Sequence, residues 1–165
     1  MSAFLNPRTI VAIAWSLFQI YTAAAGMFDL LIQLPLHVAF AVTLAFLTPR
    51  REGAPTQASG AGTRWADGGA ALLAATTAVY FIVENPRLVT RMPFVDEPRL
   101  LDKLVGCLLL VLLLEASRRF VGAGLTGLVL AFVIYAFAGP WLPGFLGHGG
   151  TAFSRFLDQQ VLSTE

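Results

Sequence analysis

The chain has 165 residues, of which 56% are hydrophobic and only 13% charged, with a formal net charge of +1. Mean hydropathy is +0.71, whereas soluble domains carry about 25% charged residues. This composition excludes an ordinary water-soluble domain, and the near-zero charge without a basic stripe excludes a nucleic-acid partner. The single cysteine, Cys107, lies inside an apolar run, so neither an internal disulfide nor a thiolate metal cluster can form.

Taken in chain order, five apolar segments predict an all-α integral membrane bundle of about five transmembrane helices, four plus a connector helix. The first, residues 9–26, follows Arg8. Its run Ala23, Ala24, Ala25 resembles a signal-peptide cleavage site, but Trp15, Gln19 and Tyr21 make a poor signal core, so it is expected to stay as a helix. The second, residues 30–47, contains Gln33, Pro35 and His37. At 1.5 Å per residue it reaches about 27 Å, enough to cross a slightly thinned bilayer. Asp29 is positioned to cap its start, which makes the first two segments an antiparallel hairpin.

The stretch TPRREGAPTQASGAGTRWADGG follows. Its Pro, Gly, Ser and Arg content reads as a cytoplasmic linker loop over residues 48–67. A third segment, residues 68–83, is expected to start after Asp67 and end at Glu84-Asn85-Pro86. The loop over residues 84–103 balances Glu84, Asp96, Glu97 and Asp102 against Arg87, Arg91, Arg99 and Lys103. The fourth segment begins near Pro98 and runs to Glu115-Ala-Ser-Arg-Arg, and the fifth, residues 121–138, follows at once as its antiparallel neighbour. Residues 139–165 form a tail too polar to span, expected to lie at the interface. Residues 1–165 thus read as a single membrane domain.

With the N-terminus cytoplasmic, Arg8, Arg50, Arg51, Arg64, Arg118 and Arg119 fall inside, and Arg87, Arg91, Arg99, Lys103 and Arg155 outside. The outer loop cancels its own charge, while the inner turn carries an Arg118–Arg119 pair that reads as uncompensated. The N-in orientation is expected on that ground.

Ionisable groups inside a span are default functional candidates because they are costly there. None lies near the midpoint of any segment, and Glu115 is spaced to pair with Arg118 and Arg119 along the helix surface. Gln19 and His37 are polar residues within spans, suited to hydrogen bonds across a helix interface or to a partner helix. Ala70, Ala74 and Ala78 form one small-residue ridge and Ala123, Gly127 and Ala131 another, each allowing close helix packing. Gly122-Ala123-Gly124 resembles part of a phosphate loop, but no strand precedes it and its lysine is missing. With no nucleophile elbow, no useful carboxylate pair and only two histidines, neither an enzyme nor a metal or cofactor site is expected.

The stretch FAGPWLPGFLGHGG, residues 137–150, reads as a helix leaving the bilayer. Phe137 and Trp141 suit the interface, and Gly139, Pro140, Pro143 and Gly144 stop the helix and prevent its resumption.

The order of landmarks adds a resemblance. WSLFQIYTAAAGMFD, LPLHVAFAVTLAFLTPRR, KLVGCLLLVLLLEASRR, FVIYAFAGPWLPGFLGHGG and a final LSTE together resemble the N-terminal part of fused permeases of the tripartite ATP-independent periplasmic (TRAP) transporter family, the type paired with TAXI-class binding proteins. The resemblance implies a small membrane scaffold domain in the bacterial inner membrane that braces a large permease domain. In such a system a periplasmic binding protein delivers the substrate, often an organic acid, for sodium-coupled import. It also implies that substrate and sodium bind in the large domain, so no such residue is carried over to this chain, which would be a piece of a fused permease or a separate small subunit. The competing expectation is a membrane interaction or assembly protein with no transport role. Candidate packing or partner-interface residues are Gln19, His37, Ala123, Gly127, Ala131 and Trp141.

Overall fold

A computed structural model describes residues 6–26, 28–48, 61–93 and 95–162. All regular structure among them is helical: α1 (Pro7–Ala25), α2 (Leu30–Leu47), α3 (Ala61–Thr90), α4 (Leu100–Phe120), α5 (Ala123–Ala138) and α6 (Phe153–Leu157). Two short 3-10 turns, Gly139–Trp141 and Gly144–Leu146, follow α5, and α6 widens into a π-helical turn over Asp158–Leu162. The chain divides into two compact units, Met1–Val89 and Thr90–Glu165.

Local chemistry sets most helix ends. The Asn6 side chain accepts the Arg8 amide at 3.1 Å and Pro7 occupies the first turn, where a missing N–H costs nothing. Gly26, at φ 102°, ends α1 in a conformation that other residues resist. Asp29 caps α2 by accepting the Leu31 amide at 2.9 Å. At the other end of α2 the Thr48 hydroxyl and amide both donate to the Leu44 carbonyl. The Asp102 carboxylate reaches back to the Arg99 amide at 2.8 Å at the start of α4.

Two boundaries differ from the sequence reading. α3 begins at Ala61, inside the stretch read as a linker, and Asp67 lies within the helix rather than at its cap; residues 49–60 of that linker fall outside the described residues. Nothing from Ala61 to Asp67 is a proline, so the helix has no barrier there. At the far end α3 runs through Pro86 to Thr90. Glu84 and Arg87 form an ion pair across the proline, and the Arg87 guanidinium also reaches the Tyr80 hydroxyl at 3.5 Å. These contacts bridge a position where the backbone lacks a donor.

Among the described residues three helices are long and apolar enough to cross a membrane: Leu30–Leu47, Trp65–Thr90 and Ala123–Trp141. They point to a membrane protein; α1 and α4, which the sequence reading also expects to cross, are not among the three. In α1 the run is interrupted by Trp15, Gln19 and Tyr21 behind Arg8. In α4 Asp102 and Lys103 stand at one end and Glu115, Arg118 and Arg119 at the other. The uncharged stretch between them is residues 104–114, about 16 Å of helix.

In the first unit, Phe18 of α1 stacks on Phe28 and packs on Phe40 of α2, with ring centroids 6.1 and 5.9 Å apart. Leu31, Ala39, Val42 and Phe46 are the buried face of α2, and Ala71, Ala74, Ala78 and Phe81 that of α3. The buried Thr43 hydroxyl donates to the Ala71 carbonyl at 3.4 Å, joining the two helices. In the second unit, Leu109, Leu112 and Ala116 of α4 are buried together with Leu157, Val161 and Leu162. A Cβ on Gly106 would stand 3.6 Å from Leu157 and 3.9 Å from Val161, ordinary van der Waals contact, so the terminal turn lies against α4 at this position. Within its own unit the turn over Leu157–Leu162 is therefore packed against α4.

Candidate functional site

Four polar constellations stand out against the apolar background. The first joins α1 to α2. Trp15 Nε1 lies 3.5 Å and Gln19 Nε2 3.3 Å from His37 Nδ1, and the indole and imidazole meet edge to face with centroids 5.1 Å apart. An indole nitrogen can only donate, so Nδ1 is the acceptor and the neutral ring carries its proton on Nε2. Gln19 and His37, candidates from sequence, are brought together here. Trp15, the third member, had no sequence signal beyond falling one turn before Gln19.

The second was not foreseen. Arg91, just after α3, is buried with Asp158; their side chains are 6% and 3% exposed and approach to 2.6 Å. Arg91 also donates to the carbonyls of Asp96 at 2.8 Å and Leu162 at 3.3 Å. Asp96 returns a carboxylate oxygen to the Met92 amide at 2.9 Å. One guanidinium therefore ties the loop before α4 to the terminal turn. Sequence placed Arg91 in a charge-balanced loop, and a partner 67 residues away leaves no local pattern. Beside this clamp is a pocket of about 150 Å³ lined by Val95, Asp96, Glu97, Pro98, Ser154 and Arg155, among others.

The third is at the end of α4. Glu115 accepts from Arg118 Nε at 2.7 Å and Nη2 at 2.8 Å, and from Arg119 Nε at 2.8 Å. The Arg118 hydrogen bond, aided by that of Arg119 and by both positive charges and opposed by partial burial, holds the carboxyl down at about 2. The two arginines read as uncompensated thus share one carboxylate, and the cluster keeps a single net positive charge.

The fourth is the corner after α5. His148 Nε2 lies 3.0 Å from the Tyr135 carbonyl, and its Nδ1 accepts the Gly150 amide at 3.1 Å. An amide can only donate, so this ring too is the Nε2–H tautomer and donates to the carbonyl of α5. The His148 amide bonds the Gly139 carbonyl at 3.2 Å, and the Thr151 amide bonds that of Ala136 at 3.1 Å. Tyr135 closes the loop by donating its hydroxyl to the Leu146 carbonyl at 3.1 Å. The histidine is a side-chain cap on carbonyls that a helix end leaves open. Trp141 and Phe145 project from this corner, 82% and 95% exposed.

The remaining sequence candidates fall on α5. Ala123, Gly127 and Ala131 are all exposed, and a Cβ added to Gly127 would meet nothing within 4 Å. Their ridge is uncovered by the described residues, whereas Ala74 and Ala78 of the α3 ridge are buried. Among the described residues no group of three or more His, Cys, Asp or Glu side chains could hold a metal ion. No family model, curated protein or solved structure matches the chain.

Proposed function

We propose that this chain is the small membrane scaffold domain of a sodium-coupled TRAP transporter, bracing a large permease domain to which a TAXI-type periplasmic protein delivers substrate. On this reading it sits in the bacterial inner membrane with its N-terminus cytoplasmic. α1 and α4 cross as well as α2, α3 and α5, giving five crossings. α4 is 21 residues long, about 31 Å. Its crossing part lies between Lys103 and Glu115, with the charged ends reaching to the interfaces. The chain itself binds neither substrate nor sodium and performs no catalysis.

The observation that carries the reading beyond the sequence landmarks is the open ridge Ala123, Gly127 and Ala131 on α5. Lipid offers no hydrophobic force between helices, so association depends on close backbone approach along such ridges. A bare ridge on an apolar helix suits a partner helix, here one of the large domain.

The test is co-expression of the chain with a large TRAP permease subunit and a TAXI-type binding protein. A stable membrane complex and sodium-dependent uptake are expected, both weakened by Gly127→Leu. A chain that never co-purifies with the permease, yet is captured with unrelated membrane proteins, would replace the reading with that of an assembly factor.

A further inference from the structure

The Trp15, Gln19 and His37 cluster faces outward. Gln19 and His37 are exposed, and so are Ser16 and Ala23 beside them on α1, while Trp15 is half-buried. With Nδ1 of His37 occupied by two donors, its Nε2–H points to no acceptor among the described residues. Gln19 uses its nitrogen on His37, and its side-chain oxygen likewise meets no donor among the described residues. Gln19 lies six residues from the end of α1 and His37 seven from the start of α2. Both are therefore about 10 Å in from the hairpin end, at the same depth. In hydrocarbon an unmet polar group costs several kcal/mol.

We infer that this face binds a second copy of the chain, the His37 Nε2–H of each copy donating to the Gln19 oxygen of the other. A two-fold axis along the membrane normal keeps both copies in one orientation and preserves depth. A donor and an acceptor at equal depth on one face then satisfy each other twice, which is the self-complementarity an isologous interface requires. Lipid tails offer neither partner. Ser16 and Ala23, one turn to either side of Gln19, are small enough for the helices to approach closely. The inference needs only that the hairpin lies in a membrane and is independent of any transport role.

The experiment uses the full chain with Cys107→Ser, reconstituted in phosphatidylcholine vesicles at several protein-to-lipid ratios. Ser16→Cys is expected to give a disulfide-linked dimer on oxidation, whereas Leu72→Cys, on the outer face of α3, remains monomeric. Energy transfer between labelled copies should show Gln19→Leu, which removes both symmetry-related bonds, weakening the dimer roughly tenfold. Circular dichroism reports whether that variant keeps its helices; if it does not, the Ser16→Cys and Leu72→Cys contrast decides alone. Absence of the Ser16→Cys dimer, equal crosslinking at Leu72→Cys, or a folded Gln19→Leu that dimerises as tightly as the parent overturns the inference. In native membranes, a Ser16→Cys crosslink to a different protein in place of the dimer overturns it as well and leaves the scaffold proposal intact.

Discussion

The imidazole of His148 occupies the space that a Cβ on Gly139 would need. Gly139 has helical backbone angles, φ −42° and ψ −48°, so an alanine there is excluded by its neighbour and not by its own conformation. Gly139→Ala is expected to lower stability by about 1–3 kcal/mol, the usual cost of overpacking. In a His148→Ala background the same change should cost much less. Thermal unfolding in detergent of the two single variants and the double variant measures the coupling; additive effects would contradict the described packing.

Breaking the Arg91–Asp158 pair should be severe. Removing one member leaves the other charge buried without its counterpart, which costs about 3–5 kcal/mol. Arg91→Met or Asp158→Leu should therefore free the terminal turn, read as rapid proteolysis after residue 150 with α1 and α2 still protected. The double variant should recover part of the loss, because no lone charge remains.

Glu115 supplies a pH dependence with a definite sign. Its carboxyl is held at about 2 against an ordinary 4.5, so the folded state favours the ionised form. The stabilisation is fully present above pH 4.5 and fades as the pH falls from there towards 2. Glu115→Gln should flatten the stability profile in that window and lower stability near neutrality, where the parent's carboxylate is fully ionised. A variant whose profile still falls as steeply as the parent's between those values would show that Arg118 and Arg119 do not hold the carboxylate in solution.

Topology reporters separate five crossings from three. If α1 and α4 both cross, the turn at Val121 and Gly122 lies on the cytoplasmic side with the N-terminus, opposite the loop at residues 95–99. If only α2, α3 and α5 cross, that turn and that loop share a side. Alkaline phosphatase or fluorescent-protein fusions after Pro98 and after Gly122 should therefore report opposite compartments.

Helical class and most helix positions were legible because apolar runs, caps and glycines act locally. α2 spans the 30–47 stretch read from sequence because Asp29 and Thr48 mark its ends. α3 was misjudged at both ends: Asp67 resembles a cap and Pro86 a stop, yet the helix passes through both, with contacts from Glu84, Arg87 and Tyr80 surrounding the proline. Of the polar sites, Glu115 with its arginines was readable from i, i+3 and i, i+4 spacing. Gln19 and His37 could be marked as polar residues in apolar helices, but their meeting depends on the register of the hairpin. Arg91 with Asp158 was invisible, since only the tertiary fold brings that loop to that turn. His148 lies in a stretch that reads only as a helix leaving the bilayer, and its capping role emerges only when the corner after Gly139 folds back on α5.

The buried turn at Leu157–Leu162 has a consequence for anything joined to it. Leu162 is 1% exposed and its carbonyl is held by Arg91. A domain joined directly after Leu162 would therefore have its position dictated by this fold and not by the flexibility of a linker.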